Sequence, residues 1–180
     1  MGLDMYIHKR PKYSDDGKQN LAIIYFITWI RKGLDCTFKE WCGAHVKASD
    51  LPSIETLIET LNSHPIKDGE FVEEEVAYWR KANCIHRWFV ENVQDCEDDC
   101  QEHRPVTKED LQKLKNDCKA VLNNPALAKE VLPTMSGFFF GDTEYGEWYF
   151  ETIERTSELC EELINETNFD EYELYYCSSW

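Results

Sequence analysis

The stretch Glu75–Val93, EVAYWRKANCIHRWFVENV, constrains this chain more than any other. Apolar residues recur at Val72, Val76, Trp79, Ala82, Ile85, Phe89, Val90 and Val93, the three- and four-residue steps of one helical face. At about 100° per residue, Glu75, Asn83 and His86 fall inside the apolar arc, and Arg80 and Arg87 flank one edge. The spacing predicts a helix whose inner face carries a carboxylate, an amide and an imidazole. Buried without partners, such groups cost roughly 1–3 kcal/mol each. They therefore either knit a core together or line a pocket. Glu75 and His86 are too far apart to meet, roughly 16 Å along a helix axis, whereas Asn83 and His86 are neighbours.

The chain in order suggests an α+β architecture. Residues 2–8 alternate Leu3, Met5 and Ile7 with Asp4, Tyr6 and His8, the pattern of a half-buried strand. Leu21–Lys32 reads as a helix ending at Gly33, or as a buried strand, and Asp50–Ser63 reads as a short helix with Ile54, Leu57, Ile58 and Leu61 inside. A turn at Asp68-Gly69 leads into a short strand over 70–72. The run from Asp95 to Pro105 is an acidic loop. Thr107 with Asp110 opens the next helix, whose apolar face is Leu111, Leu114, Cys118, Val121 and Leu122. A short helix over 125–132 follows.

Phe138–Phe140, between Gly137 and Gly141, reads as a short buried strand or aromatic plug. Asp142 or Thr143 then caps a long helix to about Asn165, with Tyr145, Trp148, Tyr149, Ile153, Thr156, Cys160 and Leu163 inward. Tyr172, Leu174 and Tyr176 mark a last strand. The expected fold is a predominantly helical single domain, 1–180, with a small sheet made by its N- and C-terminal strands.

Composition narrows function. A formal net charge of −16 argues against a nucleic-acid surface and against anionic membranes, and favours a cationic partner; it also permits imitation of DNA phosphates. The longest apolar run, Leu21–Ile30, is too short to span a bilayer. Eight cysteines without a secretory leader read as reduced thiols in a cytoplasmic protein. Cys96, Cys100 and His103 have ligand chemistry but no second pair at zinc-site spacing, even with Cys36, Cys42 and His45 elsewhere, so neither a metal nor a cofactor is expected. Cys84 and His86 project to opposite sides of a helix and make no nucleophile–base pair.

Candidate ligand-binding residues are Trp79, Arg80, Asn83, His86, Arg87 and Glu75, joined by Ser136 and Tyr145 from the glycine-flanked stretch. Each has a plain alternative: a histidine on an apolar face more often satisfies core polar groups. The tryptophans Trp79, Trp88, Trp148 and Trp180 and nine tyrosines exceed what a small core needs, which points to some of them contacting a partner.

Four stretches taken together, MGLDMYI, EVAYWRKANCIHRWFVENVQ, LPTMSGFFFGDTEYGEWYF and YYCSSW, resemble an uncharacterised family of small bacteriophage and prophage proteins. The likeness covers residues 1–8 and about 72–180 and leaves 9–71 as a variable insertion. It implies a bacterial-cell context during infection or lysogeny and assigns no residue a role. The expectation is a non-enzymatic accessory protein that binds a basic surface of a host component, such as a bacterial defence factor. The alternative is a protein that binds or sequesters a nucleotide-like small molecule along the 75–93 helix.

Overall fold

The structure is a computed structural model and describes residues 2–11, 53, 74–99 and 104–180. Met1–Arg10 and Glu74–Trp180 form one compact unit, and Pro11–Glu73 forms another. The sheet and helices described belong to the first. The helices expected at 21–32 and 50–63 and the strand at 70–72 lie outside the described residues, Ser53 aside.

Four strands make one antiparallel sheet: β1 (Asp4–Pro11), β2 (Glu74–Arg80), β3 (Arg104–Val106) and β4 (Tyr172–Ser179), in the order β2-β1-β4-β3. The helices are α1 (Asn83–Asn92), α2 (Lys108–Asn123), α3 (Ala128–Val131) after a 3₁₀ turn at Pro125–Leu127, and α4 (Glu147–Glu166). The fold is α+β, and strands from both ends of the sequence lie side by side at the sheet centre.

β1 forms as its alternation predicts. Leu3, Met5 and Ile7 are fully buried, while Asp4, Tyr6 and His8 are half-buried on the other side. The buried side meets Ala77 and Trp79 of β2, Leu174 and Tyr176 of β4 and Val106 of β3. α1 lays Phe89 on this face, its ring stacked on Tyr176 with centroids 4.0 Å apart and planes within 9°. α2 and α4 pack along each other, burying Leu111, Leu114, Cys118 and Val121 against Tyr149, Ile153, Cys160 and Leu163. Two indole N–H groups tie the layers: Trp79 Nε1 donates to Thr156 Oγ1 at 2.9 Å and Trp88 Nε1 to Asp117 Oδ2 at 2.8 Å. α2 starts at the expected capping box, in which Thr107 Oγ1 accepts from Asp110 N and Asp110 Oδ2 accepts from Thr107 N.

Four sequence expectations are corrected. First, Glu75–Val93 is not one helix. Its first part is β2, paired with β1 so that Met5 faces Trp79 and Tyr6 faces Tyr78. Val76, Tyr78 and Trp79 are strand-formers, and Ala77 and Trp79 turn inward at a step of two. Lys81, at φ 55, adopts the left-handed conformation that no helix continues through, so α1 begins only beyond it. Glu75 consequently sits exposed on β2 opposite His8. Second, the end of the acidic loop is strand β3, with Arg104 opposite Tyr176. Third, Phe138–Phe140 is a turn, with Phe140 N donating to Gly137 O, and only Phe140 is buried. Fourth, α4 begins at Glu147 with Gly146 as its cap, which leaves Trp148 48% exposed.

Candidate functional site

Asn83, in the first turn of α1, is 2% exposed and uses its whole amide on one loop. Its Nδ2 donates to the carbonyls of Phe140 (3.1 Å) and Asp142 (2.7 Å), and its Oδ1 accepts from Met135 N (3.1 Å). The loop is also held from the sheet: Leu3 N donates to Phe139 O, and Lys81 N donates to Leu3 O. Two glycines permit the close approach. A Cβ on Gly137 would lie 2.5 Å from the Phe140 ring, and Gly141, at φ 89, would place one 3.0 Å from the Lys81 side chain. Asp142 Oδ1 accepts from Glu144 N at 2.7 Å, a local turn in place of the expected helix cap. Phe138 stands on this fixed loop 89% exposed, packed edge-on against Phe139.

One turn on, His86 is fully buried and both ring nitrogens are engaged. Nδ1 lies 2.7 Å from Tyr176 Oη, and Nε2 lies 3.0 Å from Asp98 Oδ2. A carboxylate only accepts, so the neutral ring donates from Nε2 to Asp98 and accepts at Nδ1 from the Tyr176 hydroxyl. Burial pushes the His86 pKa below its ordinary value, and the Asp98 hydrogen bond and charge partly oppose that. The ring also meets Phe140 edge-on at 5.2 Å. Asp98 reaches one residue further: its Oδ1 lies 3.5 Å from the indole Nε1 of Trp180, which is itself 50% exposed and packs on Phe140 at 5.5 Å. His86 thus lies beneath both the phenylalanine loop and the Trp180 side chain.

The loop that carries Asp98 is built on backbone that side chains rarely adopt, with Asp95 at φ 53 and Cys96 at φ 65. Gln94 Nε2 donates to Asp99, which also accepts from Arg104 Nε at 2.6 Å. Among the described residues, buried Gln94 Oε1 has no hydrogen-bond partner.

The remaining expected site residues are scattered by the break at Lys81. Trp79 is a core side chain bound to Thr156. Arg80, exposed, pairs with Asp4 across the sheet at 3.4 Å. Arg87 donates from Nε to Glu91 Oε1 at 2.6 Å and reaches Thr134 O at 3.5 Å. Tyr145 Oη accepts from Thr134 N at 3.2 Å, and Ser136 is exposed on the same loop. The structure therefore gathers Asn83, His86, Arg87, Ser136 and Tyr145 around the 133–146 segment and leaves Glu75, Trp79 and Arg80 on the sheet. Asp98, Tyr176 and Phe138 were missed by periodicity. Their signals were an acidic run one turn beyond the helix and a phenylalanine beside a glycine.

Chemically, the arrangement is internal. Burial pushes the Cys84 thiol up to about 12, which disfavours its thiolate at neutral pH. Among the described residues no three His, Cys, Asp or Glu side chains are placed to hold a metal; Cys36, Cys42, His45, Cys100 and His103 lie outside them. Among the described residues no helix is long and apolar enough to cross a membrane. Compared with known protein families, characterised proteins and solved structures, the chain matches none.

Proposed function

We propose that this protein is a non-enzymatic, phage- or prophage-encoded accessory protein that docks on a basic surface of a host component, a bacterial defence factor being the favoured target. The contact is the loop around Phe138. The observation that carries this reading is an exposed phenylalanine on a rigidly held loop. Asn83 fixes three backbone groups of the segment, and Leu3 fixes a fourth. An aromatic held in place before binding loses little freedom on docking, which is how anchor residues concentrate binding energy. Asp142, Glu144 and Glu147 are exposed in the same segment, and a net charge of −16 attracts a basic partner at long range. The small-ligand alternative draws no such support, because the polar atoms of Asn83 and His86 are already spent inside the protein.

Affinity capture from lysate of the bacterial host tests the reading. At about 50 mM salt the protein should retain a basic partner, and at about 500 mM the yield should fall as screening lengths shrink. Phe138→Ser should weaken retention by about tenfold or more while leaving the melting temperature unchanged. Recovery of no partner at low salt, or equal recovery by Phe138→Ser, would count against the proposal.

A further inference from the structure

Resting on the docking reading, we infer that Trp180 and Asp98 form a notch for a guanidinium group, so the partner presents an arginine there. The indole of Trp180 is half exposed and backed by Phe140. The Asp98 carboxylate stands beside its N–H edge, with its side chain 17% exposed. Oδ2 is occupied by His86 at 3.0 Å, whereas among the described residues Oδ1 has the long 3.5 Å contact with Trp180. Neutral His86 donates to Oδ2 and leaves Oδ1 directed at the indole edge. An aromatic ring with an anion at its rim can take a cation that stacks on the face and ion-pairs at the edge.

Arginine fits better than lysine. Its planar guanidinium can lie flat on the indole and direct an N–H at Oδ1, whereas an ammonium is a compact, strongly hydrated charge that can do only one of these well. The buried side of the notch cannot give way, because His86 is itself fixed by Tyr176 at 2.7 Å. The notch adds to Phe138 a second contact of different chemistry: an apolar anchor on the loop and a guanidinium seat at Trp180.

Fluorescence anisotropy with labelled nona-arginine and nona-lysine peptides, titrated against the full chain at fixed salt, tests this. The wild-type protein should prefer the arginine peptide by about fivefold to tenfold. Trp180→Leu should remove the preference and leave lysine-peptide binding, which is charge alone, nearly unchanged. Asp98→Asn, which can still accept from His86, should remove it too. Glu158→Gln, exposed on α4, should lower both peptides equally. Absence of a preference in the wild type, or its survival in Trp180→Leu, overturns the notch. The two proposals fail separately. A lost preference with a partner still captured through Phe138 removes the notch alone. A preference that holds with no captured partner removes the host-component reading alone.

Discussion

Protonation of His86 removes the acceptor that the Tyr176 hydroxyl uses at 2.7 Å and places a charge in a fully buried ring. The folded-state pKa therefore lies below the unfolded value of about 6.5. With that sign, the stability tied to neutral His86 is complete above about pH 6.5 and is lost as pH falls through the folded value. His86→Gln keeps a polar side chain that does not titrate. Melting temperatures between about pH 8 and pH 5 should fall more steeply for the wild type than for the variant. Equal slopes would show that folding leaves the His86 pKa unshifted, and a shallower fall for the wild type would show that the ring is stabilised when charged.

At the scale of elements, the decisive joint is the one between β2 and α1. Lys81 turns the chain at φ 55, and Asn83, two residues on, holds the 135–142 loop by three hydrogen bonds. Asn83→Ala should cost roughly 2–3 kcal/mol, because it leaves one backbone N–H and two carbonyls without their partner. In a chain of this size that lowers the melting temperature by about 5–10 °C. Asn83→Asp keeps the acceptor for Met135 N but offers a carboxylate to two carbonyls, so it should be no better than alanine. A thermal melt of the three proteins checks this, and an unchanged Asn83→Ala would mean that the loop is held from β1 and Gly141 alone.

Across the whole molecule, the helical layer protects its thiols. Cys84 and Cys160 are pushed up to about 12 by burial, and Cys118 is pushed up too, by burial first and then by the neighbouring Cys160 and Cys84. Cys96 is exposed. Native alkylation at neutral pH, read by peptide mass mapping, should label Cys96 promptly and Cys84, Cys118 and Cys160 only as fast as the helices open. Simultaneous labelling of all four would mean that the layer is loosely packed.

What the sequence determined by itself was local. The alternation of β1 and the 3.6-residue faces of α2 and α4 follow from periodicity, because each of these elements buries one face; β4 was expected to alternate but is buried on both faces from Leu174 to Ser178. The cap at Thr107 needs only residues three apart. Of the three polar residues that fell on the apolar arc, Asn83 and His86 are buried on α1, whereas Glu75 is exposed on β2. Tertiary structure decided the rest. A seven-residue strand followed by a ten-residue helix gave an apolar pattern that one long helix fits equally well, and only pairing with β1 and the turn at Lys81 separate them. Phe138–Phe140 are three identical residues, yet Phe140 is 3% and Phe138 89% exposed. That difference comes from hydrogen bonds to Asn83, 52 to 59 residues away in the chain, which no local pattern encodes. Likewise, Tyr176 meets His86 across 90 residues because the C-terminal strand lies at the centre of the sheet, and sequence distance carries no trace of that closure.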